Sequence, residues 1–322
     1  MALKLLSLEE VKQSISMVEA IDAMERAFIQ LAQQKATLPL RTGIRVGNKA
    51  LTLTMPAYLS EEKILGLKVV SVFPDNIKYN KPSINGTILL LDATTGEPLI
   101  MMDGGYLTAL RTGAISGLAT KYFSQNIPST VTIVGAGVQA ITQLHAVAAV
   151  RQIERVLVWS RHQESAHKFV KEMEPFYKIE VYEQLSSALK KSDIICTATA
   201  SSEPLVYLED LKPHAHINAI GSHNSSMQEI NGDVLQKAVV IVDQIEAAMS
   251  EAGEIISAID QQKLKKESII EIGSWLLNKS PHHQKQLTVF KSVGLAIQDL
   301  SVAQVVYQNA LKKNLGTTFK LN

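Results

Sequence analysis

The segment TVTIVGAGVQAITQLHAVAAV places Gly135, Gly137 and Ala140 at the spacing G-x-G-x-x-A, after an apolar run and at the opening of a helical pattern. That spacing has a chemical use. A first glycine permits a tight strand-to-helix turn, a second lets backbone approach a pyrophosphate, and a small third residue lets helix pack on strand. The amides that open the helix, at Gly137, Val138 and Gln139, then meet phosphate with the macrodipole behind them. A tight turn without a ligand is the plainer alternative. A second apolar strand, RVLVWS, arrives where a dinucleotide-binding βαβ unit needs it.

The end of that second strand selects the dinucleotide. An acid about 20 residues beyond the glycines would bind the adenosine 2′-hydroxyl and repel a 2′-phosphate. Here the strand ends in Ser160-Arg161-His162, and the first acid is Glu164. Arg161 can grip a phosphate with two nitrogens and Ser160 can donate to it; a solvated loop arginine is the alternative. NADP(H) is expected to be preferred, with NAD(H) as the second choice.

Other chemistry is less well provided for. The one cysteine, Cys196 in IICTAT, cannot form an intrachain disulfide and reads as a small buried hydrophobe rather than a nucleophile. His214 and His216 alternate on an expected strand and His282–His283 lies in a polar loop, so no histidine has metal-ligand spacing and no metal is expected. Lys+Arg 32 against Asp+Glu 31 leaves a net charge of +1, which argues against nucleic acid or an anionic membrane as partner. The opening MALKLLSLEE has too short an apolar run for a signal peptide, and no run of ~18 apolar residues could span a bilayer. A cytoplasmic protein acting on a small molecule is expected.

These residues need elements to position them, and 322 residues with 46% hydrophobic content suffice for two domains. The first 35 residues read as helix, with Ser7 ahead of Glu9 and Glu10 and with Ile21, Met24, Ala27, Phe28 and Leu31 at helical spacing. From Arg41 to Asp103 short strands follow one another: RTGIRV, LTLTMPAY, ILGLKVVSVF, INGTILLLD and PLIMMD. Without helices between them they predict an antiparallel meander. Leu65, Leu67, Val69 and Phe73 share one strand face and Lys68 the other. Helical periodicity returns from Tyr106 to Phe123. After Pro128, the strands TVTIVG, RVLVWS, IEVY, DIICTAT, HINAIG and VVIV alternate with helical patterns and predict a doubly wound parallel sheet. Helical signals run on to Leu277, then come TVFKSVG and a last helix from about Ala296.

Several segments together resemble the ornithine cyclodeaminase/mu-crystallin family: MPAY (55–58), GLKVVSVFPDN (66–76), GTILLLDATTGEPLIMMDGGYLTALRTGAISGLAT (86–120), the glycine loop, INAIGS (217–222), EAAMSEAGE (246–254) and VFKSVGLAIQDLSVA (289–303). The resemblance implies an α/β homodimer, its final helix returning to the first domain and its substrate held between domains. Residues 1–112 and 297–322 would form a discontinuous α+β substrate-binding and dimerisation domain with an antiparallel sheet, and 113–296 the Rossmann domain. The family's carboxylate anchors match Arg41 in LPLRTG, Lys68 in GLKVV and Arg111 in LTALRTGA, each a cation in a largely apolar segment. One such residue alone is more often snorkelling or solvated. Thr112 matches a phosphate contact; Thr197, Ala198 and Thr199 would pass near the cofactor ribose; and Val293 and Gly294 match the segment beside the nicotinamide.

One departure from the family matters. Ornithine cyclodeaminases carry an aspartate as general base after the strand matching INAIG, and His223 stands where that aspartate is expected. A neutral imidazole attracts the substrate's second, cationic amine less than a carboxylate does. The pattern G-S-x-x-x-x-M-x-E from Gly221 to Glu229 looks more like members that reduce cyclic ketimines such as Δ1-pyrroline-2-carboxylate to proline. His223 or Lys68 would then supply or steer the proton; a loop histidine satisfied by backbone is the plainer reading of His223. Ornithine cyclodeamination, or a related amino-acid dehydrogenase activity such as that of alanine dehydrogenases, ranks second. A non-enzymatic, mu-crystallin-like NADPH-binding role ranks third.

Overall fold

The structure is a computed structural model, and it describes residues 2–39, 41–278 and 283–320. His282 lies outside the described residues. In chain order the elements begin with β1 (Ala2–Leu6), α1 (Leu8–Ser14), α2 (Met17–Ala32), β2 (Ala36–Thr37), β3 (Thr42–Val46), β4 (Ala50–Leu59), β5 (Ile64–Val72), β6 (Ile84–Asp92), β7 (Pro98–Asp103) and α3 (Gly105–Phe123). They continue with β8 (Ser129–Val134), α4 (Val138–Val150), β9 (Ile153–Trp159), α5 (Gln163–Met173), β10 (Ile179–Val181), α6 (Leu185–Leu189), β11 (Ile194–Thr197), β12 (His216–Ala219), α7 (Gly232–Lys237) and β13 (Val239–Val242). The last are α8 (Ile245–Glu251), α9 (Gly253–Asp260), β14 (Ile270–Glu271), α10 (Ile272–Asn278), β15 (Thr288–Lys291), α11 (Ala296–Lys312) and β16 (Thr317–Lys320). Two compact units result, Met1–Arg111 with Leu295–Asn322 and Thr112–Gly294; the chain passes from one to the other within α3 and again between Gly294 and Leu295.

The first unit is a mixed sheet in the order β16-β1-β7-β6-β5-β4-β2, with β3 also pairing β4. Strands β4 to β7 form the expected antiparallel meander. The expectation of helix from the first residue fails, because Ala2–Leu6 is a strand, parallel to β7 and antiparallel to β16. Leu3 and Leu6 bury their side chains there, and sheet pairing with segments far along the chain outweighs local helical preference. Helix proper begins where Ser7 and Glu10 make a capping box, and it restarts where Ser16 and Glu19 make another. Each cap is worth about 1 kcal/mol.

Strand alternation places Lys68 opposite Leu65, Leu67 and Val69, as expected, but it is the Lys68 face that is buried. Ile64, Gly66, Lys68 and Val70 turn inward while Leu65, Leu67 and Val69 stay partly exposed. Helix α11 packs on β4, β5 and β6 and contacts α2, with Ile88, Leu90, Ile100, Leu300 and Val306 sealed in the core. That helix carries the chemistry that Lys68 meets.

The second unit is an eight-stranded sheet in the order β10-β9-β8-β11-β12-β15-β13-β14, and every pairing in it is parallel. Strand β8 is buried along its whole length, as a strand covered on both faces must be. The order reverses between β8 and β11, which opens a crevice at their carboxyl ends. His214 sits in the turn before β12 rather than on the strand. His216 is fully buried, its ring bonded to Thr288 and Asn218; burial pushes it down to about 3, so the ring is neutral. Cys196 is buried too, and burial pushes its thiol up to about 12. No helix among the described residues is long and apolar enough to cross a membrane, and no group of three metal-ligating side chains occurs among them.

Candidate active site

In the first unit, three elements bring charges together around one carboxylate. Strand β5 supplies Lys68, α3 supplies Arg111 and the first turn of α11 supplies Gln298 and Asp299. Lys68 Nζ lies 2.8 Å from Asp299 Oδ2, with side-chain exposures of 2% and 0%. Arg111 Nε donates to Asp299 Oδ1 at 3.1 Å, and its Nη1 donates to Gln298 Oε1 at 2.6 Å. Arginine has no acceptor, so the amide oxygen of Gln298 must face it; the amide nitrogen is buried without a hydrogen-bond partner. Burial drives Lys68 down to about 8; Asp299 opposes that, while the charges of Arg111 and Arg41 add to it. Lys68 and Arg111 thus meet at Asp299, and the charge of Arg41 is also felt at Lys68. Two buried cations share one carboxylate there, an arrangement that favours an additional anion.

Asp299 and Gln298 escaped the sequence reading. Their signal was weak, since an acid in the first turn of a helix is ordinary compensation of the helix dipole. The telling feature is that both are fully buried among Ala296, Ile297 and Leu300.

In the second unit the crevice at the sheet's reversal is a cleft of about 260 Å³, lined by Gly135, Gly137, Ser160, Arg161, Ala198 and Thr199 among others. Gly135 has φ +100°, and a Cβ there would come within 2.6 Å of the Ala198 carbonyl. At Gly137 a Cβ would meet no protein atom. The open ground beside Gly137 is therefore a matter for a ligand rather than for packing, and the turn fits a bound dinucleotide. Val138 and Gln139 form the first turn of α4, with Val138 71% exposed, while Ala140 is buried against the core of β8 and β9.

Thr197, expected near a ribose, does not line this cleft. Its hydroxyl is spent on Glu229 Oε2 at 2.7 Å. Glu229 is fully buried and also accepts from the amide and hydroxyl of Thr199 and the amide of Gly221. It thereby ties the ends of β11 and β12 together; burial holds it above the usual carboxylate range, with Lys291 opposing and Glu254 reinforcing that rise. Thr112 is buried, and its carbonyl accepts from Gln143.

Val293 and Gly294 are held by a residue the sequence reading did not single out. Asp243 Oδ2 accepts from both of their amides and from the Ser292 hydroxyl, at 2.9, 3.0 and 2.8 Å. His223 is exposed, and its Nδ1 bonds the Gly221 carbonyl at 2.9 Å. A carbonyl only accepts, so Nδ1 carries the proton and Nε2 is the nitrogen left to face outward.

Comparison with known proteins agrees along the whole chain. A Δ1-pyrroline-2-carboxylate reductase of Bacillus cereus is 37% identical over 318 residues, covering 97% of this chain and 98% of that protein. The structure of a Thermococcus litoralis Δ1-pyrroline-2-carboxylate reductase, solved with NADH and L-proline, superposes with a TM-score of 0.93 at 39% identity, covering 98% of this chain and 99% of that one. An archaeal alanine dehydrogenase dimer with bound NAD gives a TM-score of 0.93 at 36% identity over the full length of both chains. The sequence model of the ornithine cyclodeaminase/mu-crystallin family matches residues 2–314, and the chain belongs to that family.

Proposed function

We propose that the protein is an NAD(P)H-dependent oxidoreductase that reduces a cyclic ketimine carboxylate, Δ1-pyrroline-2-carboxylate to L-proline in type. The observation that carries this reading is the buried cluster of Lys68, Arg111 and Asp299. It holds one positive charge more than it holds negative, and a substrate carboxylate is the anion that answers it. Arg41 adds a third cation to the clamp. A charge-assisted bond of this kind contributes roughly 1.5–3 kcal/mol.

A dinucleotide held in the cleft would supply the hydride that reduces the imine carbon. The protein must hold the carboxylate and supply a proton for the ring nitrogen. Lys68, brought down to about 8, is protonated at neutral pH and near enough to neutrality to give that proton up. His223, with Nε2 outward, is the second candidate as donor or as the residue that orients a water. Gly135, Gly137, Val138 and Gln139 would hold the pyrophosphate, Ala198 and Thr199 the ribose side, and Thr112, Val293 and Gly294 the remainder of the cofactor. Ser160 and Arg161 in the cleft wall, with no acid before Glu164, support a preference for NADPH. The sheet face bearing Leu65, Leu67 and Leu89 supports a homodimer, and the single buried thiol of Cys196 is compatible with the reducing cytoplasm.

The test is a substrate panel with both cofactors: Δ1-pyrroline-2-carboxylate, its six-membered homologue, L-ornithine, L-lysine, and pyruvate with ammonia. Proline formed in step with NADPH oxidation is the expected result. Efficient conversion of L-ornithine to proline and ammonia with catalytic NAD would instead make cyclodeamination the function.

A further inference from the structure

Lys68 and Arg111 come from a strand and a helix well apart in sequence, yet their side chains are set by the same helix. Asp299 gives one carboxylate oxygen to each cation, at 2.8 Å to Lys68 Nζ and 3.1 Å to Arg111 Nε. Its neighbour Gln298 takes Arg111 Nη1 at 2.6 Å. Two adjacent residues on the first turn of α11 thus fix the plane of the guanidinium. Helix α11 is itself clamped on β4, β5 and β6, so these groups have little freedom to move.

We propose that Asp299 is the positioning residue of the substrate clamp: shared between Lys68 and Arg111, it aims both cations at the substrate carboxylate and keeps Lys68 an ammonium while it does so. This rests on the ketimine-reductase reading of the same cluster. The charges facing Lys68 are Asp299 from α11, Arg111 from α3 and Arg41 ahead of β3. Of these only Asp299 favours the charged form; Arg111, Arg41 and burial all oppose it. Neutralise Asp299, and burial, Arg111 and Arg41 together drive the Lys68 proton off. The geometry around Arg111 gives a second handle. Gln298 holds the guanidinium without adding charge, so its loss would disturb aim and leave protonation alone.

The variants are Asp299→Asn, Asp299→Glu and Gln298→Met, each compared with wild type as the full-length protein with NADPH for rates and NADP for ligand binding. For Asp299→Asn the alkaline limb of the pH–rate profile should move at least one unit toward acid, a change of about tenfold in the population of the protonated form at a given pH. Asp299→Glu should restore the limb. Gln298→Met should raise KM for the imino acid, and Kd for the planar carboxylate pyrrole-2-carboxylate, by about fivefold, with the pH profile unmoved.

An Asp299→Asn enzyme whose activity falls at an unshifted pH profile would show a purely structural residue and overturn the proposal. So would Gln298→Met binding pyrrole-2-carboxylate as tightly as wild type, a result obtainable even if Asp299→Asn does not fold. The Lys68 side-chain resonance in lysine-labelled protein, assigned with Lys68→Met, tests the same point without turnover: a titration midpoint equal in wild type and Asp299→Asn overturns it. Wild-type protein that reduces no cyclic imine, with the Lys68 midpoint still lowered by Asp299→Asn, would sink the functional reading and leave the hold of Asp299 on Lys68 standing.

Discussion

Lys68 is held at the balance point between burial and a single counter-ion, and that balance sets its chemistry. Its pKa of about 8 lies well below the usual lysine value, so the unfolded chain binds this proton more readily than the native one. The sign follows: the group weakens the fold below about pH 8, and the penalty fades as pH rises toward the ordinary lysine range. For activity the same proton should matter in the other direction. The rate should fall through a midpoint near 8 as the ammonium is lost, and Lys68→Arg, which stays charged, should abolish that limb whatever it does to the maximum; a wild-type limb that persists unchanged in Lys68→Arg would assign it to another group. Arg111→Ala removes a buried member of the clamp. A loss of about 3 kcal/mol in transition-state binding is a fall of roughly 100-fold in kcat/KM for the imino acid, and wild-type kinetics would take Arg111 out of the site. At the far cleft, Arg161→Ala should lower kcat/KM with NADPH by about tenfold or more and leave NADH nearly unaffected, because only NADPH carries the phosphate it would grip. Equal losses with both cofactors would mean that Arg161 does not read the 2′-position.

At the level of elements, the ends of β11 and β12 depend on one carboxylate. Glu229 accepts four hydrogen bonds, from Thr197, twice from Thr199, and from Gly221. In Glu229→Gln an amide NH2 would replace one oxygen and face donors it cannot satisfy. A cost of about 2 kcal/mol in a chain of this size should lower Tm by about 3 °C, read by calorimetry; an unchanged Tm would show that the strand ends are held by their ladders alone. Elements also explain what the sequence could tell. Strand β8, the glycine turn and α4 were legible because a buried parallel strand and a dinucleotide turn leave a contiguous local pattern. Strands β1, β14 and β16 were not, since each is five residues or shorter and exists only through partners distant in sequence. The face of β5 was legible as an alternation, but not which side was core, because Leu65, Leu67 and Val69 are more apolar than the Lys68 face they oppose. The three cations stood out by resemblance; the carboxylate that organises two of them is almost two hundred positions from Arg111, and no local pattern links them.

For the whole molecule, the partly exposed face of β5 is the feature that matters. Cross-strand pairing aligns Tyr58, Leu65 and Leu91 in one row and Pro56, Leu67, Leu89 and Met101 in the next, and these side chains remain partly exposed in the single chain. A contiguous apolar face of this kind is uncommon on a monomer and marks an interaction surface. We propose a second copy of the chain as its partner, since a two-fold association sets one face against the same face of the other copy. Leu67 lies at the centre of the patch, with Pro56 and Leu89 as its cross-strand neighbours, and an aspartate there would place a charge in the middle of an apolar contact. Leu67 faces away from Lys68, so the clamp itself should stay intact. Sedimentation should therefore find wild-type protein at twice the mass of one chain and Leu67→Asp at the mass of one chain, with pyrrole-2-carboxylate still bound. A Leu67→Asp protein that sediments like wild type would remove this face from the assembly and require the partly exposed leucines to be covered in some other way.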